Sequence, residues 1–128
     1  MKILLDTCTF LWANADPGRL SPLAQRLLSD TENDLYLSVV SAWEISLKYM
    51  ARRLFLPEPA SQYIPSRRDA NGIASLELTE AAILQLAKLP PLHGDPFDRM
   101  LICQSIVHGL ALVTPDDWIT RYPINTLW

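Results

Sequence analysis

Short strand-like runs, each followed by a helix-start signal, constrain this chain most. Ile3-Leu4-Leu5, Leu35 to Val40, Ile73 to Leu78, Leu110 to Val113 and the closing Asn125 to Trp128 read as strands. Helical stretches separate them. The first is Thr7 to Ala13, followed by a turn at Asp16-Pro17-Gly18. The next opens at Ser21-Pro22, with Ser as cap and Pro at the first helical position, and runs to Leu28. Ser41 begins a helix reaching Arg53, and after Pro57 and Pro59 a further helical piece ends near Arg68. Thr79 to Lys88, Asp95-Pro96 to His108 with Gly109 as its stop, and a short helix from Pro115 complete the set. Strands split by helices imply a mainly parallel sheet covered on both faces. The expected fold class is therefore α/β, with three α/β/α layers. The chain has 128 residues, which suits a single domain over 1–128.

Composition excludes several classes. An apolar fraction of 49% with 20% charged residues is globular, not disordered. The longest uncharged stretch, Met100 to Pro115, has 16 residues and includes Gln104, Ser105 and His108, too short and polar for a membrane span. Asp6 interrupts the only apolar run resembling a signal peptide. Cys8 and Cys103 form neither a disulfide scaffold nor a CxxC, so free thiols and a cytoplasmic location are expected.

Four acids fall at the beginnings of helices. Asp6 directly follows the first strand. Glu44 follows the second and stands three residues after Ser41, Asp98 three after Asp95, and Asp116 two after Thr114. Taken singly, each has an ordinary explanation. Asp6 suits an N-cap, Ser41-Ala42-Trp43-Glu44 a capping box, and Asp98 and Asp116 the helix dipole. Together they say more, because the carboxyl ends of parallel strands share one edge and ligands bind there. Asp6, Glu44 and Asp116 should face that edge, while the place of Asp98 rests on the helix beginning beside it. Gathered carboxylates repel each other unless a cation lies among them. Hard oxygen donors suit Mg²⁺ or Mn²⁺.

The charge balance then reads differently. The net charge of −3 comes from 11 Lys and Arg against 14 Asp and Glu. Without the four acids, ten acidic residues face 11 basic ones. Lys48, Arg52, Arg53, Arg67 and Arg68 crowd a stretch whose one acid is Glu58. They make a candidate phosphate-contacting, RNA-binding face, or else a solvated helix surface.

The segments Leu4-Leu5-Asp6-Thr7, Ser41-Ala42-Trp43-Glu44-Ile45, His93-Gly94-Asp95-Pro96-Phe97-Asp98-Arg99-Met100-Leu101-Ile102 and Leu112-Val113-Thr114-Pro115-Asp116 resemble the acid-bearing segments of PIN-domain ribonucleases. The likeness is closest to VapC-type toxins of bacterial type II toxin–antitoxin systems, and it spans essentially the whole chain. The Asp95-Pro96-Phe97-Asp98-Arg99 run is its most specific piece. The resemblance implies a PIN fold and a Mg²⁺-dependent endoribonuclease acting on RNA through metal-activated water. It also implies a cognate antitoxin and a homodimer. By motif it puts Asp6, Glu44, Asp98 and Asp116 on the acidic catalytic and metal positions, with Asp6 and Asp98 foremost. Asp117 is a substitute for Asp116.

The supporting residues have two readings each. Thr7 and Thr114 either orient a water or carboxylate or simply start helices. Asp95 is first an N-cap, and second an orienting group for the metal site. His93 is read as a surface or capping residue rather than an acid catalyst, His108 as a helix-end residue, and Cys8 as a buried thiol without a role.

Rival classes leave traces that can be checked. A receiver domain needs a phospho-acceptor Asp ending a middle strand and a late Lys. Here that strand offers Ser38, and no Lys follows Lys88. An Asp-x-Asp phosphatase is short of its second acid, since residue 8 is Cys. A catalytically inactive PIN-like binding protein and a metal-dependent DNA nuclease remain as alternatives.

Overall fold

The computed structural model describes residues 1–128. Five strands form one sheet in the order β3-β2-β1-β4-β5, and every neighbouring pair is parallel. They are β1 (Lys2–Leu5), β2 (Asp34–Ser38), β3 (Ile73–Leu76), β4 (Ala111–Val113) and β5 (Thr126–Leu127). The register sets Leu4 beside Tyr36 on one flank and Leu112 on the other. Seven α-helices connect or cover the strands: α1 (Thr7–Ala15), α2 (Pro22–Ser29), α3 (Val39–Met50), α4 (Ala60–Ala70), α5 (Glu80–Gln85), α6 (Pro96–His108) and α7 (Asp117–Thr120). The expected α/β class with three layers is what forms.

The side chains of β1 show why the sheet is covered on both faces. Ile3, Leu4 and Leu5 are all fully buried. Ile3 and Leu5 join Phe10, Leu37, Ile45, Tyr63 and Val113 in one core. Leu4 points the other way, into Leu101, Ile102, Leu112, Ile119 and Tyr122. Successive strand residues alternate faces, so a strand apolar throughout needs a core on each side. Each such side chain contributes about 1.5–3 kcal/mol by leaving water.

The caps mostly follow the sequence. Ser21 accepts from Ala24 N–H, and Asp95 from both Phe97 N–H and Asp98 N–H. Gly109 ends α6 with φ 65°, a left-handed conformation that glycine adopts without strain.

The start and end of α3 differ from expectation. Val39 and Val40 belong to the helix, not the strand, and the cap is Ser38, whose Oγ accepts from Val40 N–H. Ser41 and Glu44 therefore stand inside the helix, and no capping box forms. The helix stops at Met50, short of Arg53, because Arg52 takes a positive φ of 58°. His108 also differs: its Nε2 is buried without a partner. No helix is long and apolar enough to cross a membrane.

Candidate active site

The strand order reverses at β1. Its neighbours β2 and β3 lie on one side, and β4 and β5 on the other. Open parallel sheets bind ligands at such a point, outside the carboxyl ends of the strands. Asp6 leaves β1 there and caps α1, its Oδ1 accepting from Thr9 N–H at 3.0 Å. Its Oδ2 accepts from Thr114 Oγ1, which leaves β4 alongside. Thr114 Oγ1 also accepts from Asp116 N–H at 3.1 Å, tying a second acid to the same corner.

A pocket of about 210 Å³ opens at this edge. Asp6, Thr7, Cys8, Leu11, Glu44, Lys48, Asp95, Asp98 and Asp116 line it. All four expected acids are thus brought together, one from each of the four connections of the sheet. Asp95 joins them. Asp117 does not: it lies exposed in the first turn of α7, so Asp116 is the fourth acid of the pocket. A larger cavity of about 590 Å³ lies beside Arg52, Arg53 and Phe55, but no carboxylate lines it.

Residues 3–125 match the PIN domain family. The chain belongs to the PIN-domain family. Ribonuclease VapC22 of Mycobacterium tuberculosis is 28% identical over 115 residues, spanning 89% of this chain and 86% of the relative. Ribonuclease VapC16 of the same organism is 36% identical over 101 residues, 79% of this chain and 67% of the relative. Among solved structures, VapBC2 of Rickettsia felis, crystallised on a DNA fragment from its promoter, superposes with a TM-score of 0.70 at 16% identity. That match covers 99% of this chain and 98% of the other, and speaks to the fold.

Within this PIN domain, Glu44 is a fastened acid. Its Oε1 accepts from Thr7 Oγ1 at 2.7 Å, and its Oε2 meets Lys48 Nζ at 2.7 Å. Thr7 Oγ1 also lies 2.9 Å from Ser41 Oγ. Thr7 and Thr114 are therefore carboxylate-orienting residues, not merely the starts of helices. The hydrogen bond to Glu44 raises the pKa of Lys48, so its positive charge is secure. The pair itself is half in solvent and contributes about 0.3–0.5 kcal/mol.

Asp98 is the strained acid. Burial pushes its carboxyl up to about 6, against a lowering by the His93 hydrogen bond, and repulsion from Asp95, Asp116 and Asp6 adds to the rise. That repulsion reflects the gathering of charge a cation would relieve. Burial, with the Asp6 carboxylate second, pushes the Cys8 thiol well above its ordinary range. The thiol stays protonated at the pocket wall, a half-buried group rather than a ligand.

The donors are hard oxygens, the type that divalent ions such as Mg²⁺ or Mn²⁺ take. Every carboxylate is an oxygen donor, yet no group of three His, Cys, Asp or Glu side chains is placed to hold an ion by itself. Mg²⁺ suits such an open arrangement, since it keeps several waters and takes one or two carboxylates together with substrate phosphate.

The five basic residues do not line one pocket. Lys48 lines the acid pocket. Arg52 and Arg53 line the separate cavity. Arg67 lies over the Tyr63 ring at 4.8 Å and meets Glu58 at 3.4 Å. Arg68 sits in the last turn of α4. Of the five, Lys48 alone lines the acid pocket; α3 ends at Met50, and Arg67 and Arg68 stand on α4.

The sequence missed His93 as a site residue. Its ring is only 10% exposed, with Nε2 at 3.2 Å from Asp98 Oδ2 and Nδ1 at 2.8 Å from Tyr122 OH. The expected surface or capping role is overturned: folding buries the ring behind Asp98. The signal available was weak, a His placed five residues before an acid, and Tyr122 carried none.

Proposed function

We propose that this chain is a metal-dependent endoribonuclease of the VapC kind, hydrolysing RNA phosphodiester bonds and restrained by a cognate antitoxin. The observation that carries the reading is the convergence of Asp6, Glu44, Asp98 and Asp116 on one pocket at the switch point of the sheet. The names of the two ribonuclease relatives support RNA as substrate. The VapBC complex of like fold is consistent with a protein partner.

Asp6 and Asp98 would hold Mg²⁺, or Mn²⁺ in its place, with Asp116 and Glu44 completing the negative field. When bound, such an ion makes water a competent nucleophile near neutral pH and offsets charge on the phosphate. The residues of the chain prepare that step. Thr114 and the Thr9 N–H fix both oxygens of Asp6, so its carboxylate does not reorganise as substrate arrives. Thr7 does the same for Glu44. Asp95 caps α6 and holds the backbone that carries Asp98. Lys48 offers the cation nearest the acids for a phosphate oxygen, and it neutralises Glu44 until then.

The deciding experiment is cleavage of structured RNA by the purified chain in Mg²⁺, compared with EDTA and with Asp6→Asn. Cleavage that needs both the metal and Asp6 is expected. A folded protein that binds Mg²⁺ but cuts DNA instead, or cuts nothing across a broad RNA panel, would replace this reading by a DNA nuclease or a PIN-like binding protein. Expression alone should be toxic, and co-expression with the antitoxin encoded beside it harmless.

A further inference from the structure

The hydrogen bonds around Tyr122 fix where the proton of His93 sits. Tyr122 OH accepts from Arg99 Nη1 at 2.9 Å and from the His93 backbone N–H at 3.3 Å. Two donors fill the two lone pairs of a phenol oxygen. The remaining O–H must therefore donate, and His93 Nδ1 at 2.8 Å is its acceptor. Nδ1 is then bare, and the ring proton lies on Nε2. That N–H points at Asp98 Oδ2, 3.2 Å away. The chain of donors runs one way, from Arg99 through Tyr122 and His93 to the carboxylate.

The surroundings hold the ring in that pose. Its plane is parallel to Trp118 within 2°, with centroids 5.8 Å apart. Tyr122 packs against its edge at 5.4 Å and is itself 3% exposed. Arg99 is anchored by Pro90 O at 3.0 Å, so the first donor of the chain cannot swing away without losing that bond. Asp98 Oδ2 is thereby taken by the protein, while Oδ1 accepts nothing from it.

We propose that His93 is a positioning residue for Asp98. Held as the Nε2–H tautomer by Arg99 and Tyr122, it fixes one carboxylate oxygen so that the other faces the divalent ion. This rests on the reading of Asp98 as a metal ligand given above. A group behind a metal ligand commonly sets its orientation and basicity, and losing it costs about 10–100-fold in affinity.

The test has two independent readouts on the full chain. The first is ring ¹⁵N chemical shifts of His93 in metal-free protein, at about pH 8, above the ordinary imidazole range. A protonated Nε2 and a bare Nδ1 are expected. Tyr122→Phe, which removes only the hydroxyl, should abolish that single signature and give mixed tautomers. A proton on Nδ1 in the wild type, or an unchanged spectrum in Tyr122→Phe, would overturn the assignment. The second is Mn²⁺ affinity by calorimetry. His93→Leu should weaken binding by about 10–100-fold, and His93→Gln, whose amide can still donate to Asp98, should recover most of it. Wild-type affinity in His93→Leu beside weak binding in Asp98→Asn would remove His93 from the site. Wild-type affinity in Asp98→Asn would instead remove Asp98, and with it the metal role of His93, while the ring shifts would still report the network.

Discussion

Thr114 Oγ1 donates to Asp6 Oδ2 across 108 residues of sequence. The bond joins the carboxyl ends of β1 and β4, the two strands that flank the switch point. Thr114 is fully buried, so removing its hydroxyl strands a carboxylate oxygen away from water. Thr114→Val, nearly the same shape, should cost about 1.5–3 kcal/mol of stability. It should also lower Mg²⁺-dependent cleavage about tenfold or more. Thr114→Ser should keep both near wild type. Denaturant unfolding and single-turnover cleavage check this; a Val variant as active as the Ser variant would mean Asp6 needs no such anchor.

Asp98 should burden the metal-free fold. Its carboxyl is pushed up to about 6 from an ordinary 3.8, first by burial. A raised folded value means the neutral acid is favoured in the native state. Its contribution is fully present below the unfolded value and is lost as pH rises through about 6. Ionised Asp98 therefore costs stability at about pH 8, on the order of 1–3 kcal/mol. Asp98→Asn should unfold at higher denaturant than wild type at about pH 8, with the advantage shrinking toward about pH 4. Cleavage should vanish in the same variant. Equal destabilisation at both pH values would show that Asp98 is a structural cap, not a strained ligand.

The same shift predicts how metal binding responds to acid. A proton on Asp98 competes with the ion, so affinity for Mn²⁺ should hold above about pH 7 and weaken by up to about tenfold per unit below about 6. The released proton should appear in calorimetry as a buffer-dependent heat near the midpoint. A flat affinity between about pH 5 and 8 would place the ion away from Asp98.

Much of this was legible in the chain, for local reasons. Ile3-Leu4-Leu5 ends at an acid, and Asp95-Pro96 opens a helix with Asp98 one turn in, so strand, cap and acid can be read within a few residues. The fold class followed from the alternation, and all four acids reached one pocket. The start of α3 was misread because Val39-Val40 continues an apolar strand run, and Ser38 and Ser41 are equally good caps by type. In the fold Ser38 is the cap, and Val40 joins the cluster of Leu101 and Leu112 from within the helix. His93 was missed because its meaning depends on Tyr122, which lies 29 residues away. Closeness in sequence says nothing of direction once Arg52 turns the chain, so the sequence could not show which of the crowded basic residues lines the acid pocket.

The position of Lys48 yields a last prediction about RNA. It is the basic residue of the crowded stretch that lines the acid pocket. Arg67 is already engaged with Glu58 and Tyr63. In EDTA, where nothing is cleaved, Lys48→Ala should weaken RNA binding and reduce the slope of log affinity against log salt by about one. Arg67→Ala should leave that slope unchanged. With Mg²⁺ present, Lys48→Ala should also slow single-turnover cleavage, because Glu44 loses its counter-charge and the phosphate loses its cation. A reversed order, with Arg67 dominating the salt slope, would mean that RNA crosses α4 and enters the pocket from the opposite side.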